Sequence, residues 1–154
     1  MRARRRPQAL GAAPLLALVF VAISAAACAA TPDSASGIES WIHQAQYRST
    51  VSLLRTDVAE IGRGIAARKL LATRTACDGL GSDAASAIGV LPTPDHRLTE
   101  ELNAAYKDLV NGAQECSLAA SFTAPGFARY ESAKTRALAG LRRADARIRH
   151  LEGR

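Results

Sequence analysis

The 154-residue chain has 48% hydrophobic and 5% aromatic residues, a composition and length that fit one small domain. Its formal net charge of +6 comes largely from the start, because four arginines lie in the first six positions. Without residues 1–27 the chain holds 16 basic and 14 acidic residues, a net charge of +2. This balance excludes the strongly basic composition that is typical of nucleic-acid-binding proteins, and we expect no nucleic-acid partner.

Residues 1–27 have the order of a secretory signal peptide. Arginines come first, an apolar stretch from Pro14 to Ile23 follows, and small residues then precede Cys28. We therefore expect the chain to be exported.

The residues before Cys28 resemble the lipobox of bacterial lipoproteins, in which an aliphatic residue and two small residues precede a cysteine. Ala26 and Ala27 match this pattern, whereas Ala25 stands where Leu, Val or Ile is usual. The resemblance implies that Cys28 carries a lipid and holds the protein at the outer face of the cell membrane, since two or three acyl chains anchor stably. Ordinary cleavage after Ala27 would instead give a secreted domain, and an uncleaved 9–30 segment would be a membrane helix.

Residues 28–37 form the predicted tether. They are small or polar and include Pro32 and Gly37, which indicates a short flexible linker after the lipidated cysteine. Residues 38–154 form the predicted domain, with four stretches of helical periodicity. Within the first, residues 38–61, the apolar stripe comprises Tyr47, Val51, Leu54, Val58 and Ile61.

The boundaries of the other segments follow from glycines and prolines. Trp41 lies out of phase with the first stripe, so that helix bends or starts late. Residues 62–64, Gly-Arg-Gly, predict a break, and the alternative is one continuous helix. The later segments cover 66–88, 93–120 and 127–151, with Pro92 and Pro125 in the connections. This pattern predicts an all-α fold, a small antiparallel bundle of three to four helices.

Cys77 and Cys116 each lie on the apolar stripe of their segment, and these two segments are predicted antiparallel neighbours. Export favours a disulfide between them. Their heights along the helices differ by roughly 10 Å at 1.5 Å per residue, which counts against the pair unless an extended turn absorbs it. Two buried thiols and a reactive cysteine remain as alternatives.

A second resemblance rests on Cys77 with Leu80, the turn at 91–95, Ala105-Tyr106, and Cys116. This combination is similar to small, mostly uncharacterised exported helical proteins of high-GC Gram-positive bacteria. The resemblance covers roughly residues 47–151. It implies a helical fold with a Cys–Cys link and no particular activity.

The sequence contains no recognisable catalytic, cofactor or metal motif. His43, His96 and His150 have no metal-ligand spacing, and no P-loop, G-x-S-x-G or G-x-G-x-x-G motif occurs. We expect neither enzyme activity nor a cofactor. The last segment carries candidates for contact with anionic lipid or an acidic wall polymer, and the alternative is an ordinary charged helix face. These candidates are Arg136, Arg142, Arg143, Arg147 and Arg149.

Two functions fit these features. The first is a non-enzymatic binding or structural module of the cell envelope, anchored through Cys28, with an envelope protein or polymer as partner. The alternative is a small-molecule or lipid carrier, because the many alanines would leave a cavity in the bundle or else bring the helices closer together.

Overall fold

The computed structural model describes residues 34–153, and this part of the chain folds as five α-helices. Sequence neighbours among the four long helices pack side by side, α2 on α3, α3 on α4 and α4 on α5. The all-α fold is confirmed, but the expected count of three to four helices is wrong. The helices are α1 (Ser34–Gln44), α2 (Tyr47–Ala66), α3 (Leu70–Ile88), α4 (His96–Ser117) and α5 (Pro125–Leu151).

The extra helix arises because the first predicted segment is divided at Gln46. Gln46 has a left-handed backbone, with φ of 49°, and separates α1 from α2. The apolar face of α1, with Ile38 buried, therefore points differently from the face of α2 that buries Val51. Helix α1 also includes residues 34–37, which the sequence analysis placed in the linker, because buried Ile38 fixes that first turn to the core.

The predicted break at residues 62–64 is wrong, since α2 runs through both glycines to Ala66. The helix ends instead with Arg68 in the left-handed region, φ 53°, where the amides of Arg68 and Lys69 reach back to the carbonyls of Ile65 and Gly64, each at 3.0 Å. Gly64 has a packing role, because a Cβ there would overlap Thr73 Oγ1 of α3. The glycine allows the two helices to approach closely.

A long connection sets the relative heights of α3 and α4. Helix α3 ends at Ile88 and α4 begins at His96. With Cys77 opposite Cys116, the start of α4 projects about 13 Å beyond the end of α3 at 1.5 Å per residue. Helix α1 packs beside this projecting part, where Trp41 Nε1 donates to the carbonyl of Val90 at 3.2 Å.

Helices α4 and α5 pack closely through small residues. A Cβ at Gly112 would lie 2.9 Å from Ala133 Cβ, nearer than two such carbons approach in proteins. Ala105 and Ala137 are also fully buried, and Tyr106 and Tyr130 are the largest fully buried side chains. Between these two helices, the small residues shorten the interhelical distance and leave no room for a ligand.

Asp95 fixes the start of α4. Its carboxylate accepts from the amide of Leu98 at 2.8 Å and from Arg147 of α5 at 2.7 Å. The N-cap, Asp95, therefore lies two residues after position 93, where the sequence analysis placed the start of this segment. The hydrogen bonds from Arg147, followed by that from the Leu98 amide, lower the pKa of the Asp95 carboxyl.

We expect Asp95→Ala to destabilise the fold by about 1 kcal/mol through loss of the cap alone. Asp95→Asn keeps a capping oxygen and loses only the charge facing Arg147. Since the native pKa of Asp95 is lowered, its ionic contribution is present above the unfolded pKa and is lost as the pH falls through the native pKa. Thermal unfolding of both variants at pH 7 and pH 2 checks this, and an equal deficit for Asp95→Asn at both pH values would contradict it.

Candidate interaction surface

The predicted signal peptide and Cys28 lie outside the described residues, so export and the lipidation of Cys28 stay predictions. Within residues 34–153, no helix combines the length and apolar character that a bilayer span requires. The same part of the chain has no group of three or more His, Cys, Asp or Glu side chains arranged to hold a metal ion.

The predicted pairing of Cys77 with Cys116 is confirmed. The two sulfurs lie at bonding distance, their Cα atoms are 6.0 Å apart, and both residues are fully buried. The long connection between α3 and α4 removes the height difference that counted against the pair. This buried disulfide joins the two helices and offers no exposed thiol for chemistry.

In the described part of the chain, two of the five candidate arginines of α5 are held in ion pairs, and the other three are not. Arg136 donates to Asp108 at 2.8 Å and Arg147 donates to Asp95, so both are held in ion pairs with α4. Arg142 and Arg149 lie seven residues apart on another face of α5, and Arg143 is exposed on the α4 side. The anionic-surface prediction now depends on these three arginines alone.

A groove between α2 and α5 is lined by charged groups that largely neutralise one another. Tyr47 Oη and Arg55 both donate to Asp145, each at 2.8 Å, and Arg48 pairs with Glu152 at 3.1 Å. Burial, followed by the hydrogen bond to Asp145, raises the pKa of Tyr47 far above its ordinary value. These contacts join α2 to α5 and leave Tyr47 a neutral structural donor at physiological pH.

Two carboxyl groups face each other across α2 and α3. Burial and the nearby Asp83 carboxylate raise the pKa of Asp57 from 3.8 to about 6. One of its oxygens, Oδ2, is buried without a hydrogen-bond partner. The consequence is a loss of stability at neutral pH, because the fold disfavours the ionised form of Asp57.

We expect Asp57→Asn to raise the thermal midpoint at pH 7. A native pKa of about 6 above an unfolded value of 3.8 means that the folded state binds more protons between these values. The penalty on the wild type is therefore full above pH 6 and disappears as the pH falls below 3.8. The matched control is Glu60→Gln, which removes a charge one turn away. Equal midpoint shifts for the two variants, or a shift unchanged at pH 3.5, would contradict this.

The most exposed apolar side chains lie at one end of the bundle. Leu71 at the start of α3 is 78% exposed, and Leu118 just after α4 is 69% exposed. We call this end, formed by residues 63–74 and 117–122, the distal surface. A single exposed leucine is ordinary, and two at one end of a small domain make this end a candidate contact surface.

The side chain of Arg74 connects the two parts of the distal surface. Its Nε donates to the carbonyl of Ser117, the residue before Leu118. Arg74 lies three residues after Leu71, so it shares a face of α3 with that leucine. This bond brings the start of α3 next to the end of α4, where Leu118 lies, and Phe122 is partly buried in the segment that follows.

Cations precede Leu71 along the chain in the distal surface. Arg63, Arg68 and Lys69 are exposed, and no acidic residue occurs from Ile61 to Cys77. Among the ion pairs of residues 34–153, none involves these three side chains. The distal surface thus combines apolar contact area with uncompensated positive charge.

The sequence analysis did not identify the distal surface, although a signal for it was present. Leu71 and Leu118 are leucines outside the apolar stripes of their helices. Their meeting at one end depends on the α2–α3 connection and the end of α4, which were placed incorrectly. Off-stripe leucines beside an acid-free basic run would have indicated this surface.

Comparison with known proteins gives no assignment: no protein-family model, no curated protein and no solved structure matches this chain. The function is therefore inferred from the chemistry of the exposed surface. Of the exposed large apolar residues, Leu53 and Val90 lie elsewhere and are 47% and 42% exposed. The distal surface, with its more exposed leucines and unpaired cations, is the strongest candidate for a contact with another molecule.

Proposed function

We propose that this protein is an exported bacterial lipoprotein, anchored through Cys28 to the outer face of the cell membrane, that acts as a non-enzymatic binding module of the envelope. The observation that carries the binding role is the distal surface. Burying an exposed leucine contributes roughly 1.5–3 kcal/mol, so Leu71 and Leu118 together supply a useful share of a binding free energy.

The arrangement of the chain fits a display role. The described chain begins at Ser34 in α1, and α1 packs against the α3–α4 connection through Trp41 and Val90. Helix α2, with 20 residues and about 30 Å of length, leads from there to the distal surface. A tether at the N-terminal side would therefore present Leu71 and Leu118 away from its point of attachment.

The disulfide supports the exported setting, because disulfides persist in oxidising compartments and are rare in the cytoplasm. Cys77 and Cys116 join α3 to α4 and stabilise a domain with few aromatic residues. The proposal thus has support from the signal-like N-terminus and, separately, from the covalent chemistry of the folded part.

A binding surface is favoured over the alternative of a lipid or small-molecule carrier. Helices α4 and α5 meet through Gly112, Ala133, Gly140 and Ala105 at distances that leave no internal space between them. The grooves at α2 and α5 are open and bridged by ion pairs such as Arg55–Asp145. A carrier for apolar ligands needs an enclosed apolar cavity instead.

The test is affinity purification of the tagged full-length protein from intact, gently solubilised envelopes. We expect the Leu71→Ser/Leu118→Ser variant to lose specific co-purifying molecules that the wild type retains. Leu53→Ser is the matched control, because it removes an exposed leucine from another part of the surface. Recovery of the same partners with the double variant, or of none with the wild type, would reject the binding role of the distal surface.

A further inference from the structure

We propose that the partner of the distal surface is a protein segment in which carboxylate side chains flank apolar ones. This inference rests on the proposed binding function and specifies the chemistry of the partner. Leu71 and Leu118 supply the apolar contact, and Arg63, Arg68 and Lys69 supply the charge that the partner must complement.

The exposed cations of the distal surface lack the ion pairs that hold several other cations of the described chain. Elsewhere, cations such as Arg55, Arg129 and Arg136 are paired with acids at 2.7–2.8 Å. In the segment from residue 61 to 77 there are four cations and no acid. A partner that brings carboxylates to this end gains ion pairs that the fold itself does not provide.

Arg68 occupies a position where the backbone favours glycine. It follows α2 with a left-handed backbone, φ 53°, and the amides of Arg68 and Lys69 donate back to carbonyls of the last turn. Glycine is the usual residue at the left-handed position of such a helix C-cap. A non-glycine residue there raises the energy of the backbone. The exposed side chain of Arg68 has no ion-pair partner in the described chain that would offset this, which points to a role outside the fold.

The cation type favours carboxylates as the partner groups. Three of the four cations in this segment are arginines, whose planar guanidinium groups bind carboxylates through two parallel hydrogen bonds. Arg74 uses its Nε for the Ser117 carbonyl, and this bond fixes its guanidinium beside Leu118. Arginine is enriched among the residues that contribute most to binding at protein interfaces.

Two other occupants are less suitable. A second copy of the chain would oppose one cationic surface to another across a symmetric contact, which is repulsive. The anchoring membrane is the second, because a tether before Ser34 joins the domain at α1, and α1 packs at the α3–α4 connection, at the end of α2 opposite the distal surface. An acidic protein segment complements both the charge and the position of the surface.

The experiment is site-specific photo-crosslinking in living cells of the encoding bacterium, with benzoylphenylalanine in place of Leu71 in the full-length chain. The matched control carries the same group in place of Leu53. The crosslinked peptides are identified by mass spectrometry. We expect a protein product specific to position 71, in which the attached peptide has Asp or Glu beside apolar residues.

Charge dependence is measured with Arg68→Gly in the crosslinking background, and Lys107→Gln serves as the control that removes an exposed cation from α4. We expect Arg68→Gly to reduce the crosslink yield by about five-fold, while Lys107→Gln leaves it unchanged. Because glycine suits the left-handed backbone, the thermal midpoint of Arg68→Gly should be equal to or above that of the wild type, so a lower yield reflects lost binding. A crosslink to lipid, to a second copy or to a peptide without carboxylates would overturn the proposal, as would a yield no higher than at Leu53 or one insensitive to Arg68→Gly.

Discussion

Removing the disulfide by Cys77→Ala/Cys116→Ala is expected to destabilise the domain by about 4 kcal/mol and lower its thermal midpoint on the order of 15 °C. The bond closes a loop of 39 residues, and its loss restores the conformational entropy of that loop to the unfolded chain. Both side chains are fully buried, so no solvent contact compensates for the loss.

Chemical denaturation of the wild type and the double variant, each with and without reductant, measures this effect. Reductant present throughout unfolding should bring the wild type close to the variant and leave the variant unchanged. Similar denaturation midpoints for the oxidised wild type and the variant would contradict a stabilising link between α3 and α4.

Gly64→Ala is expected to destabilise the fold by about 1–3 kcal/mol, although alanine normally favours a helix. The added Cβ would overlap Thr73 Oγ1 and would lie 3.3 Å from the Thr73 Cα. Thr73 cannot turn away freely, because it is fully buried and its hydroxyl donates to the carbonyl of Lys69 at 2.9 Å. Relief would therefore require α2 and α3 to separate.

Gly62→Ala is the matched control, two residues earlier in the same helix. A Cβ at Gly62 meets nothing within 4 Å, so alanine there should stabilise the helix by about 0.5–1 kcal/mol. Denaturant titrations of the two variants should thus give free-energy changes of opposite sign. Stabilisation by both substitutions would show that α2 and α3 do not approach closely at Gly64.

Periodicity predicted the helices well because most of their buried residues recur every three or four positions. The stripe of Leu98, Leu102 and Leu109 in α4 is buried as expected, and Tyr130 and Leu141 of α5 are buried likewise. The predicted helix ends were wrong where tertiary contacts outweighed the local preference of the sequence. Glycines at 62 and 64 suggest a break locally, but the reason for Gly64 is a neighbour in α3, which no local pattern contains.

The candidate surface was predicted less well than the fold. The Cys77–Cys116 pair followed from two stripe positions and an antiparallel neighbour relation, and it is confirmed. The anionic-surface prediction for α5 used the sequence of that helix alone. It therefore did not anticipate that Asp108 of α4 and the N-cap Asp95 pair with Arg136 and Arg147. The distal surface forms where the start of α3 meets the end of α4, and this meeting follows from the packing of the whole bundle.

The most direct test of an anchored envelope module is the intact mass of the protein purified from membranes of a bacterial host that lipidates exported proteins. If the protein is anchored through Cys28, we expect a chain that begins at Cys28, carries a diacylglyceryl group and has the mass of one internal disulfide. A Cys28→Ala variant should lose both the added mass and the membrane association. An unmodified chain cleaved at another residue, or a full-length chain with residues 1–27 retained, would contradict anchoring through Cys28.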